Sequence, residues 1–168
     1  MAKRKSSQND LAKLTEVFRA AGAPDPEDWA RSQLEEGIPQ LALFSLAKSM
    51  WAGVVDENDL GYVEAEVNRS RAYPKDPCSQ AGKALEEMLS KGISRSSIID
   101  LIRVVQYETL YHVTAVLDGA RTLDVPVTEW LVFQVDEKER PVARLHGIHE
   151  ILLGLDPTGR EMRPRPEK

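Results

Sequence analysis

SRSSIIDLIRVVQYETLYHVTAVLD, residues 94–118, is the longest apolar stretch of the chain, and its reading decides the fold. On a helix of about 100° per residue, with Ile98 as origin, Leu101, Ile102, Val105, Val113 and Val116 fall within about 60° of that origin. They form the expected buried face. Asp100, Arg103, Tyr107, Tyr111 and Thr114 gather on the opposite arc, which suits water or a partner. Glu108, Thr109 and His112 fall on the apolar side. Glu108 and His112 are four residues apart, so their side chains can meet. A carboxylate carried out of water without a partner costs several kcal/mol, so the sequence predicts a Glu108–His112 hydrogen bond within the core.

The segments around this helix read as further helices. Asp10 is a candidate cap for apolar positions Leu11, Leu14, Val17 and Phe18, which Gly22 closes. Asp25-Pro26-Glu27-Asp28 opens a second helix that stops near Gly37. Residues 39–55 form a third, buried one, and Leu60, Val63 and Val67 mark a fourth after the polar turn at Asp56–Asn58. Pro74 and Pro77 enforce a loop, within which Tyr73 lies among Arg69, Arg71 and Lys75. Ala81, Ala84, Leu85, Met88 and Leu89 then make a helical stripe that ends at Gly92, and Ser94 or Ser97 caps the long helix.

Residues 128–145 read two ways. Thr128 can cap a short helix through Trp130, Leu131 and Phe133, the preferred reading. Alternatively, 132–135 and 141–145 form a hairpin about Asp136–Arg140. Ile148, Ile151, Leu152 and Leu155 predict a last helix, closed by a turn at Asp156–Gly159. The expected fold is mainly α, a single-domain bundle of about six or seven helices around a central buried helix, with a small C-terminal hairpin as an option. The expected organisation is a basic disordered tail over 1–9, a helical domain over 10–159 and a second basic disordered tail over 160–168.

Composition narrows the function classes. A chain of 168 residues with 42% hydrophobic content can bury a full core without staples. The single cysteine, Cys78, forms no internal disulfide and suits a reducing, cytoplasmic setting. No stretch reaches the length of a membrane span, and none resembles a secretory leader. Net charge is −5, yet the first ten residues and the last nine each carry +2, which leaves the body at −9. Such a body disfavours nucleic acid and suits a basic protein partner.

No catalytic signature stands out. The chain lacks a Gly-x-Ser-x-Gly elbow, a phosphate-binding glycine loop and a dinucleotide fingerprint. His146-Gly147-Ile148-His149-Glu150 gathers two of the three histidines with a carboxylate, but its order differs from the zinc-protease motifs. Were Glu108 and His112 to meet His146, His149 and Glu150, a buried polar cluster or a divalent-metal site would result. No other cofactor is expected. Arg103, Tyr107 and Tyr111 are candidate partner-binding residues, being of the types that anchor interfaces. The expectation is therefore a small acidic protein-interaction module, of the cognate-inhibitor, immunity-type or regulatory-adaptor kind. The alternative is a metal-dependent or acid–base enzyme built on the Glu/His cluster.

Overall fold

The computed structural model describes residues 2–120 and 131–165, and side chains from Gln8 onward. The described residues form seven α-helices and one antiparallel hairpin, so the protein is mainly α. By backbone proximity the chain divides into two compact units, one of residues 1–51 and 111–168, the other of residues 52–110.

The first unit opens with α1 (Ala2–Ala21), α2 (Pro26–Glu36) and α3 (Gln40–Trp51). Helix α1 begins ahead of Asp10, which lies inside the helix instead of capping it. Lys, Arg and Gln are good helix formers, so propensity carries the helix into the segment expected to be a tail. Pro26 takes the first helical position of α2 as expected, but Asp25 caps with its backbone: its carbonyl accepts the Asp28 N–H at 2.9 Å. Phe18, Ala30 and Phe44 form one core cluster, with Trp29 at the rim. The rings of Phe18 and Phe44 meet edge to face at 6.0 Å, and those of Trp29 and Phe44 at 5.7 Å.

The same unit contains β1 (Val132–Val135), β2 (Pro141–Leu145) and α7 (Ile148–Leu152), followed by a 3-10 turn (Leu153–Leu155). The hairpin therefore replaces the short helix preferred for this region. The Thr128–Trp130 part of that helix lies outside the described residues. What decides it is the turn: the Asp136 carboxylate accepts the N–H groups of Lys138 at 2.9 Å and Arg140 at 3.0 Å, and also binds the Arg140 guanidinium. One strand face is buried, since Leu145 and Ile148 pack with Leu43 and partly with Val132. Trp51 closes this core by donating its indole N–H to the Leu152 carbonyl at 2.8 Å. Beyond it, Asp156 accepts the N–H groups of Thr158 at 3.1 Å and Met162 at 2.9 Å, so ordered bonding continues past residue 159.

The second unit holds α4 (Gly61–Ala72), α5 (Gln80–Ser90) and most of α6 (Arg95–Leu117). Val63, Val67, Leu85, Ile98 and Ile99 form its core. Helices α4 and α5 cross closely at Gly82, whose N–H donates to the Ser70 hydroxyl at 3.2 Å. Gly92, with φ 79°, ends α5 by a pair of backbone bonds, Gly92 N–H to Leu89 at 3.0 Å and Ile93 N–H to Met88 at 3.1 Å. Ser94 then caps α6, its hydroxyl accepting the Ser97 N–H at 3.2 Å. Cys78 is exposed in the turn before α5.

Candidate functional site

Helix α6 has the length expected, but Ile98, Ile99, Arg103, Thr114 and Ala115 are its buried residues, so it is not the buried centre of a bundle and it presents a different face to the core. Between Ile98 and Leu110 the buried side is rotated by about 90° from the expected one. Ile98, Ile99 and Arg103 are buried, and Gln106 and Tyr107 are half-buried. Leu101 and Val105, expected in the core, are each 54% exposed, and Val104 and Val113 are exposed as well.

The rotation has a specific cause in Arg103 and Gln106. Arg103 is 5% exposed and donates to the Val55 carbonyl, while the Val55 N–H donates to the Gln106 side-chain oxygen at 2.9 Å. Two polar side chains one turn apart thus satisfy both backbone groups of one loop residue. That permits Val55 to enter the core with Ile98 and Ile99, because its peptide groups no longer need water. Hydropathy ranks Arg103 and Gln106 as outward, and the hydrogen bonds override that ranking.

Each candidate residue is placed accordingly. Arg103 is a buried structural residue and not part of an exposed partner surface. Tyr107 is half-buried, and Tyr111 is exposed at the end of the helix that belongs to the first unit. Glu108 and His112 are both exposed, which corrects the expectation of a buried pair: their side of the helix is the one turned to water. His146 and Glu150 are exposed too, so they join no buried cluster.

His149 alone of these lies in a buried polar cluster, and its partner is Asp118. The Asp118 side chain is 1% exposed, and one of its carboxylate oxygens sits 2.6 Å from His149 Nδ1 and 2.9 Å from the His149 backbone nitrogen. Tyr111 stands edge-on to the imidazole at 5.8 Å. Asp118 follows the C-terminus of α6, an unfavourable end for a carboxylate, and accepts the second N–H of α7, a favourable one. It acts as a cap for α7 supplied from elsewhere in the chain. An Asp immediately after a helix C-terminus is itself a readable signal, since that position calls for a cationic or N–H partner. Among the described residues, no group of three His, Cys, Asp or Glu gathers as a metal site.

Two charged features remain in the second unit. A shallow groove of about 460 Å³ is lined by Val67, Asn68, Leu89 and Ser90 and bridged by the ion pairs Arg71–Glu86 and Arg95–Glu64. Its guanidinium groups are engaged, and the hydrogen bond from Arg95 holds the Glu64 carboxyl below its ordinary range. The other is Glu108, exposed within an arc of about 100° that also holds Leu101, Val104 and Val105, with the exposed His112 in the same arc one turn on. This is an apolar row with a carboxylate set into it.

No described helix is long and apolar enough to cross a membrane. Comparison with protein-family models, with curated proteins and with solved structures finds no match to the chain.

Proposed function

We propose that the chain is a protein-interaction module, of the cognate-inhibitor or regulatory-adaptor kind, that docks a partner bearing basic charge on the exposed face of α6. The observation that carries this reading is the row Leu101, Val104 and Val105 around Glu108. Covering the exposed half of each aliphatic side chain is worth about 1 kcal/mol, enough to hold a partner once several are covered together. Glu108 adds the sign of charge the partner must meet, and the acidic body of the chain speeds encounter with it. A cytoplasmic setting belongs to the same reading, since the only thiol, Cys78, is exposed and unbridged. This reading does not draw on a shared Glu/His cluster, since Glu108, His112 and His146 are exposed and His149 is engaged by Asp118.

A photo-crosslinking side chain placed at Val105 in the full-length protein tests this in cells. One discrete protein adduct is expected at Val105, absent in a Leu101→Asp background. Purified with the captured protein, the chain should associate more slowly as salt is raised. Adducts at Val105 indistinguishable from those at Lys83, an exposed position on α5, would overturn the reading.

A further inference from the structure

The hairpin presents a face that complements the α6 row. Phe133 and Arg144 are direct cross-strand partners, so they share one side of the two-stranded sheet. Leu131 and Val135 flank Phe133 at intervals of two and Val142 stands two residues before Arg144, with the register slipping between Gln134 and Val135. All five are exposed, Val142 at 62%, whereas Leu145 on the other side is in the core. The result is an apolar patch with one guanidinium set into it. The α6 row is an apolar patch with one carboxylate set into it.

Neither Glu108 nor Arg144 forms an ion pair among the described residues, although most exposed arginines described here do. Their patches also match in length: Leu101 to Glu108 spans about 10 Å at a helical rise, and Leu131 to Val135 about 13 Å at a strand rise. From this pairing of shape, apolar character and opposite charge we infer that a second copy of this chain docks its hairpin face onto the α6 face, with Arg144 of one copy meeting Glu108 of the other. The inference rests on α6 as a docking face and names an occupant for it when no other partner is bound.

The contact joins two different surfaces, so it is heterologous: each copy keeps one face of each kind for a further neighbour. Mass should therefore rise with concentration past the dimer unless a ring closes. Covering both patches also removes the exposed apolar side chains from water, which supplies the driving force, while the ion pair selects the register.

Sedimentation equilibrium of the full-length protein, with wild type, Glu108→Arg, Arg144→Glu and a 1:1 mixture of the two variants, tests the inference. Wild type is expected to self-associate reversibly, and each variant alone to associate about tenfold more weakly, because like charges then face each other. Mixing the variants should restore association, since every contact between unlike copies again pairs Arg with Glu. Circular dichroism matching wild type shows that each variant is folded, and the mixture guards against a folding defect independently. A wild type that stays monomeric to about 1 mM, or a mixture no more associated than its components, overturns the inference; 1 mM corresponds to only about 4 kcal/mol of binding. Failure here with a different protein captured at Val105 leaves the docking role of α6 standing, whereas failure of the Val105 crosslink removes both.

Discussion

Arg103 shows how one side chain redirects a helix. Its stem packs inward with Ile99 and Ile102 on the same side of α6, and its guanidinium serves the Val55 carbonyl. Arg103→Met keeps much of the stem but orphans a buried acceptor, so a loss of about 1–3 kcal/mol is expected in urea unfolding. A change within about 0.5 kcal/mol, typical of a surface site, would show that the guanidinium has no such role. Glu108→Gln offers the contrast: on an exposed face it should leave stability unchanged within that margin. These two residues were assigned to opposite sides of the helix by hydropathy. Such an assignment scores side chains against water, and it has no means of knowing that a backbone peptide from residue 55 will be presented to positions 103 and 106. Asp118 was overlooked for a related reason: it reads as a helix end, and its partner lies 31 residues away in sequence.

Elements were more legible than faces. Local chemistry marks where helices stop and start, so Gly22, Gly37, Gly92 and Ser94 placed their boundaries well. The hairpin was ambiguous because Val132–Val135 is too short for periodicity to separate strand from helix, and the Asp136 turn that settles it depends on four hydrogen bonds to one carboxylate. The bond from Arg140 and the two N–H groups hold the Asp136 carboxyl below the ordinary aspartate range. A folded value below the unfolded one means that this contribution is complete above about pH 4, the unfolded value, and is lost as pH falls through the folded value. The amide resonances of Lys138 and Arg140 should therefore titrate below pH 4, and Asp136→Asn should abolish that titration. Between α4 and α5 the decisive feature is an absence of side chain. A Cβ at Gly82 would lie 2.3 Å from both the Ser70 Cβ and hydroxyl, so Gly82→Ala should destabilise by about 1–3 kcal/mol. Adding Ser70→Gly removes both clashing atoms and should return part of that loss, whereas Ser70→Ala, which retains the Cβ, should return less. Equal recovery from the two would mean that the helices separate instead of clashing.

At the scale of the whole molecule, charge separates the two occupants considered for α6. The chain is acidic, with net charge −5, so two copies repel at long range whatever their faces do on contact. A basic partner is attracted over the same distance. Added salt shortens the reach of both effects, to about 10 Å at 0.1 M, while leaving apolar burial in place. Self-association should therefore strengthen when salt rises from about 0.01 M to 0.1 M, with its long-range repulsion screened more than the short Glu108–Arg144 contact. Association with a basic partner should instead slow over the same range. The same sedimentation experiment at the two salt concentrations reads the first sign, and stopped-flow association with a partner captured at Val105 reads the second. Self-association that weakens steeply with salt would identify a contact held mainly by charge, such as attraction of Lys3, Arg4 and Lys5 to the acidic body of another copy, and replacing these three by Gln in the full chain would then abolish it. Persistence after that replacement, together with loss in Glu108→Arg, assigns the contact to the α6 and hairpin faces.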